Sequence, residues 1–154
     1  MLPHPERETP EMRRLQPNFE TEATAMRVVM EHERAQGRQV YDVSEKNLGY
    51  DVTSLDLASG DLRLIEVKGL GAVTGTILLT PNERRVAEDR RDCYWLYVVT
   101  ACDNTPRLEE PIRDPARLDW HEVSKVAHYY LRVDAMNRPM QVREDSPPYG
   151  DRRQ

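Results

Sequence analysis

The chain has 154 residues, 38% of them hydrophobic and 32% charged, with a formal net charge of −5. That length fits one domain able to bury a core, and the acidic balance weighs against a protein that coats nucleic acid through a broad basic footprint. A nuclease stays open, because bound metal ions supply local positive charge and arginines can cluster on one face.

Residues 1–17 are rich in Pro and Arg with little periodicity and read as a flexible N-terminal arm. They carry no signal-peptide pattern, and no run in the chain approaches the length of a membrane span. From residue 19 to about 36 the pattern is helical, with Gly37 as the C-cap candidate. Phe19, Ala23, Met26 and Met30 recur at helical spacing and define the expected apolar face. Glu22 falls inside that arc, flanked by Met26 and Val29, and an inward carboxylate needs a partner. Glu33 lies on a similar face near the helix end and is the weaker candidate.

Residues 39–43 read as a short strand and 44–49 as a turn that delivers Tyr50 and Asp51. A second strand over 51–57 leads through Ala58-Ser59-Gly60-Asp61 into a third over 62–68. Side chains alternate along a strand, so Leu62, Leu64, Glu66 and Lys68 share one face, and Arg63, Ile65 and Val67 the other. The apolar Ile65 and Val67 mark the second face as the buried one. The antiparallel pair brings Asp51 beside Glu66 and Lys68. Gly69-Leu70-Gly71 then offers little bulk where a substrate backbone could approach, or is an ordinary glycine turn.

Residues 76–79 read as another short strand. Thr80-Pro81-Asn82-Glu83 opens a helix: an N-cap, a proline at the first helical position, and a glutamate three residues on that completes a capping box. That structural reading accounts for Thr80 and Glu83 ahead of any catalytic role. Arg84, Arg85, Arg90 and Arg91 are placed on the same helix, and Arg84, Arg85 and Arg91 are candidates for the nucleic-acid backbone. Pairing with Glu88 and Asp89 is their plain alternative.

Residues 92–100 hold Tyr94-Trp95-Leu96-Tyr97-Val98-Val99, the signature of an interior strand covered on both faces. A strand over 107–112, a weak helix from Asp114-Pro115-Ala116 and an edge strand over 127–133 follow. Residues 143–154 read as a flexible tail, leaving one domain over 18–142. Cys93 and Cys102 lack CxxC spacing and Cys93 enters an apolar strand, which suits a reduced cytoplasmic protein. The four histidines show no zinc-ligand spacing. The fold expected is α/β (or α+β), a mixed sheet of five or six strands with helices on both faces.

Two acids and a lysine at one spot have a known chemical use. Mg²⁺ takes oxygen ligands, often one or two carboxylates shared with a substrate phosphate. So held, it polarises a phosphoryl oxygen and activates water, while an adjacent lysine stabilises developing charge. Asp51 followed by Glu66-Val67-Lys68 resembles the signature of the restriction-endonuclease-like PD-(D/E)xK superfamily. Asp42-Val43-Ser44, Asn47-Leu48-Gly49-Tyr50-Asp51, Ile65-Glu66-Val67-Lys68-Gly69, Leu79-Thr80-x-Asn82-Glu83 and the apolar strand together are similar to the domain at the C-terminus of the plant protein NO VEIN. In prokaryotes that domain often follows helicase-like regions.

The resemblance implies metal-dependent hydrolysis of nucleic acid, with DNA the expected polymer. Asp51, Glu66 and the Val67 backbone carbonyl would ligate Mg²⁺ or Mn²⁺, and Lys68 would orient water or stabilise phosphorus. Glu22 would be a further ligand or orienting group, as many members use a glutamate on the first helix. Tyr50 stands where a proline often precedes the first acid, a position that supplies no ligand. The alternative is a catalytically silent module that docks nucleic acid or protein beside a helicase-like partner. A homodimer would suit a small enzyme cutting two strands.

Overall fold

The computed structural model describes residues 18–123, and every regular element among them lies within a compact unit that ends at Trp120. The expected terminal arm, the C-terminal tail and the edge strand over 127–133 fall outside the described residues.

Helix α1 (Phe19–Ala35) begins where the Asn18 side chain accepts the Thr21 backbone N–H at 3.1 Å. Glu20 and Glu22 in its first turn and His32 and Arg34 in its last complement the helix dipole. It stops at Gly37, whose φ of +80° is the left-handed conformation glycine adopts without strain. There Gly37 N–H donates to the Arg34 carbonyl and Arg38 N–H to that of Glu33, the paired bonds of a Schellman cap.

The buried stripe of α1 is Thr21, Ala25, Val29 and Glu33. This corrects the expected face: Phe19 is 86% exposed, Ala23 is exposed, and Met26 and Met30 only flank the core. Small side chains let the helix lie close to the sheet. A Cβ on Gly69 would sit 2.9 Å from the Thr21 carbonyl oxygen and 3.0 Å from the Ala25 Cβ. Gly69 therefore serves helix–strand packing, and a substrate backbone has no access over it on that side.

The strands are β1 (Gln39–Asp42), β2 (Val52–Leu55), β3 (Leu62–Gly69), β4 (Tyr94–Thr100), β5 (Arg107–Leu108) and β6 (Ile112–Arg113). The order is β1-β2-β3-β4-β5, with β6 pairing β4 as well. The first three are antiparallel, β4 runs parallel to β3, and β5 and β6 return antiparallel to β4. Helix α2 (Pro81–Asp89) makes the crossover that a parallel pair requires. This is the mixed sheet flanked by helices that the pattern predicts.

Three local expectations change. Residues 76–79 form no strand, and residues 107–112 divide into two short pairings around Glu109-Glu110-Pro111, where proline cannot donate to a ladder. Asp114-Pro115-Ala116 opens only a short 3-10 turn, Pro115–Arg117.

The core has two parts, one per face of the sheet. Ala25 and Val29 of α1 pack with Val40, Val52, Ile65, Val67, Tyr97 and Val99. On the other face Val86 and Ala87 of α2 pack with Leu64 and Tyr94. The Leu64/Glu66 face is therefore buried as well, not only the Ile65/Val67 face that the alternation marked, and Leu64 through Val67 are all inside. Helix α2 sits against the turn that precedes Asp51. Gly49 has φ +91°, and a Cβ there would come within 2.6 Å of the Val86 Cγ2.

This contact gives the first prediction. Gly37→Ala carries only left-handed strain, because nothing lies within 4 Å of its Cβ, and should cost about 1–2 kcal/mol. Gly49→Ala adds a collision with α2 and should cost about 1–3 kcal/mol more. Urea unfolding of both variants checks this. Equal midpoints would show that Gly49 does not set the seat of α2.

Candidate active site

The register of the β2–β3 hairpin places Val52 opposite Ile65, so one step back Asp51 comes level with Glu66. The Asp51 backbone N–H donates to the Ile65 carbonyl at 2.8 Å, and its carbonyl accepts the Val43 N–H at 2.8 Å. Its side-chain Oδ2 accepts the Val67 backbone N–H at 2.9 Å. Asp51 is thus fixed to the strand that bears the other two residues.

Glu66 lies in the middle of β3 and is only 2% exposed. Its Oε2 is 3.1 Å from the Lys68 Nζ, and its Oε1 is buried without a hydrogen-bond partner among the described residues. Lys68 also donates to Glu83 Oε1 at 3.0 Å. The same Glu83 oxygen accepts the Thr80 backbone N–H at 3.0 Å, and Glu83 N–H donates to Thr80 Oγ1 at 3.1 Å. The capping box is present, and it reaches further than helix initiation. Tyr94 closes the floor, donating from its hydroxyl to the Gly49 carbonyl at 2.6 Å.

The electrostatics follow from burial. Desolvation pushes the Glu66 carboxyl up to about 9; Lys68 opposes this, while Asp51 and Glu83 add to it. Burial also raises the Asp51 carboxyl, partly offset by the Val67 N–H and by Lys68. For Lys68, burial acts against the ammonium, but Glu66 and Glu83 outweigh it and hold the group charged.

Asp51, Glu66 and Lys68 therefore meet as the alternation predicts, and Val67 touches the site through its backbone N–H, a donor to Asp51, whereas the expected ligand is its carbonyl. Glu22 does not face inward: it is exposed. The inward acid of α1 is Glu33, fully buried and accepting from Ser54 Oγ at 2.8 Å and Tyr97 OH at 2.7 Å, with Arg38 and Arg63 at 3.4 and 3.6 Å. These partners account for Glu33 without a ligand. Tyr50 is half-buried against the α2 cluster, which makes it a packing residue.

The arginines are engaged with acids. Arg84 pairs with Glu88 at 3.4 Å and Arg85 with Asp89 at 3.5 Å, Arg85 also donating to Asn82 Oδ1 at 2.6 Å. Arg91 lies beyond the end of α2, not on it, and makes a two-pronged bond to Asp114 at 2.7 and 3.1 Å. Sequence reasoning missed the link from Glu83 to Lys68. The signal was there in Lys68 facing the side of the sheet that the following helix must cover.

Two carboxylates close together, one with an orphaned buried oxygen, are a donor set that suits a hard divalent cation. Among the described residues no group of three or more His, Cys, Asp or Glu side chains is arranged to hold a metal. A Mg²⁺ held by two carboxylates would take its remaining ligands from backbone, water and substrate oxygen.

The family model described as Protein NO VEIN, C-terminal, matches residues 21–111, more than half of the chain. The chain belongs to the NO VEIN C-terminal family. The match runs from α1 past β5 and includes Asp51, Glu66, Lys68 and Glu83. No curated protein and no solved structure matches. No helix among the described residues is long and apolar enough to cross a membrane.

A second prediction comes from Glu66. Its folded pKa lies above the unfolded value, so the folded domain keeps a proton that the unfolded chain releases. The stability tied to that proton is complete below the ordinary value of 4.5 and is lost as pH rises toward 9. Unfolding free energy should fall between about pH 5 and pH 9. Glu66→Gln should flatten that slope and, at about pH 8, exceed wild type by about 1 kcal/mol or more. Denaturant melts across the range decide it, and parallel slopes would refute it.

Proposed function

We propose that this NO VEIN C-terminal domain is a metal-dependent nuclease that hydrolyses phosphodiester bonds, with DNA as the expected polymer. The observation that carries the reading is the buried Glu66 carboxyl, its Oε1 without a partner, set between Asp51 and Lys68. An acid left unsatisfied in a core destabilises the fold, and a cation bound between Asp51 and Glu66 would satisfy it.

Asp51 and Glu66 would hold Mg²⁺ or Mn²⁺, which when bound polarises a phosphoryl oxygen and lowers the pKa of water. The protein's own groups do the rest. Asp51, tied to Val67 N–H, keeps its carboxylate fixed relative to β3. Glu66 would hold the cation as a carboxylate, giving up the proton that its burial favours. Lys68 presents a fixed ammonium to the negative charge that grows on the phosphoryl oxygens, a preorganised interaction strengthened by burial.

A silent docking module remains the second reading, favoured by one observation: Lys68 is already bridged between Glu66 and Glu83, as in a purely structural ion-pair network. In that reading the helicase-like partner does the chemistry.

Calorimetry with Mg²⁺ and Mn²⁺, together with cleavage of plasmid and single-stranded DNA, separates the two. The nuclease reading expects Asp51→Ala to lose both metal binding and cleavage. It expects Lys68→Ala to keep metal binding while the rate falls about 100- to 1,000-fold. Absence of metal binding at millimolar concentration in folded wild type would leave the docking module.

A further inference from the structure

The capping box at the start of α2 is tied to the site by a bond that helix initiation does not need. In an ordinary box the N3 glutamate turns back only to the N-cap N–H. Here Glu83 Oε1 accepts from Thr80 N–H and from Lys68 Nζ, both at 3.0 Å. Lys68 is 21% exposed at its side chain and Glu83 19%, so the pair is largely shielded from water.

A lysine on a four-carbon stem has many rotamers, and its ammonium carries three donors. With Glu66 as its single partner, the ammonium would be free to settle wholly on that carboxylate and cover it. Glu83 pulls from the α2 side, and Glu83 itself cannot drift. Its backbone N–H is held by Thr80 Oγ1, Pro81 fixes the first turn, and Val86 one turn on is seated in the space left by Gly49. Two of the three donors are thereby directed at fixed oxygens, and the third has a defined direction for a ligand.

We propose that Glu83 is a positioning residue that sets the place of the Lys68 ammonium, with the Thr80–Glu83 box as its mount. For its kinetic consequence the inference rests on the nuclease reading, but the placement of Lys68 is measurable without it.

Glu83→Gln is the informative variant. Glutamine serves equally at the third position of a capping box, so the helix start survives while the charged partner of Lys68 is removed. Thr80→Ala is its complement, weakening the cap and leaving the carboxylate. The chain's lysines are Lys46, Lys68 and Lys125, so nitrogen-labelled lysine gives a spectrum in which the Lys68 ammonium is assigned by its loss in Lys68→Ala.

In wild type at low temperature and mildly acidic pH, the Lys68 ammonium protons should be visible and slow to exchange with water. In Glu83→Gln their exchange should quicken about tenfold or more, because the ammonium loses a carboxylate acceptor and keeps at most a neutral amide oxygen, which holds it more weakly. Its melting temperature should stay near wild type, whereas Thr80→Ala should melt earlier. In the cleavage assay Glu83→Gln should lower kcat about 10- to 100-fold, the usual scale for a residue that orients a ligating or reacting group. KM and Mg²⁺ affinity should hold.

Wild-type ammonium exchange in Glu83→Gln would overturn the inference, as would a quickened exchange with unchanged kcat in a domain that cleaves. If wild type cleaves nothing, the nuclease reading fails by itself, and the ammonium spectrum alone decides whether Glu83 places Lys68.

Discussion

Burial of the Glu66 carboxyl is the constraint around which this domain is arranged. A carboxylate in mid-strand on an interior face is unfavourable by several kcal/mol unless something compensates it. What surrounds it is partial compensation: Lys68 beside one oxygen, and no geometric hydrogen-bond partner among the described residues for the other. Asp51 is drawn alongside by the hairpin register and by the Val67 N–H, which adds a second acid instead of a donor. The parallel β3–β4 pair, the α2 crossover and the Gly49 turn all serve to enclose this one side chain.

The opposite face of the same sheet makes the contrast plain. Glu33 is as deeply buried as Glu66, yet both of its oxygens receive hydrogen bonds and two arginines stand beside them. Arg63, in turn, lies over the Trp95 ring at 4.3 Å. Two buried acids in one small core thus differ: both oxygens of Glu33 are satisfied, and one oxygen of Glu66 has no hydrogen-bond partner among the described residues. The first ties α1 to β2, β3 and β4. The second leaves a buried carboxyl oxygen unsatisfied, which costs free energy in a core.

Much of this was legible in the residues. Period-2 alternation over 62–68 assigned Glu66 and Lys68 to one face, and the Ala58–Asp61 turn set the hairpin that brings Asp51 across. Thr80, Pro81 and Glu83 announced the start of α2, and the unbroken apolar run from Tyr94 announced an interior strand. The orientation of α1 was not legible. Hydrophobicity favoured Phe19 and the methionines, but the close approach permitted by Gly69 selected Thr21 and Ala25. That distant steric fact put Glu22 in solvent and Glu33 inside. Glu83 escaped for the converse reason, since a sufficient local explanation hid a tertiary one.

The missing side chain at Gly49 couples two parts of the site that are far apart in sequence. The turn carrying Gly49 runs directly into Asp51, and the helix resting on it carries Glu83. A shift of α2 therefore cannot relocate Glu83 without pressing on the turn that holds Asp51. The spacing between Asp51 and Glu83 therefore depends on how closely Val86 can approach Gly49, the width of a glycine.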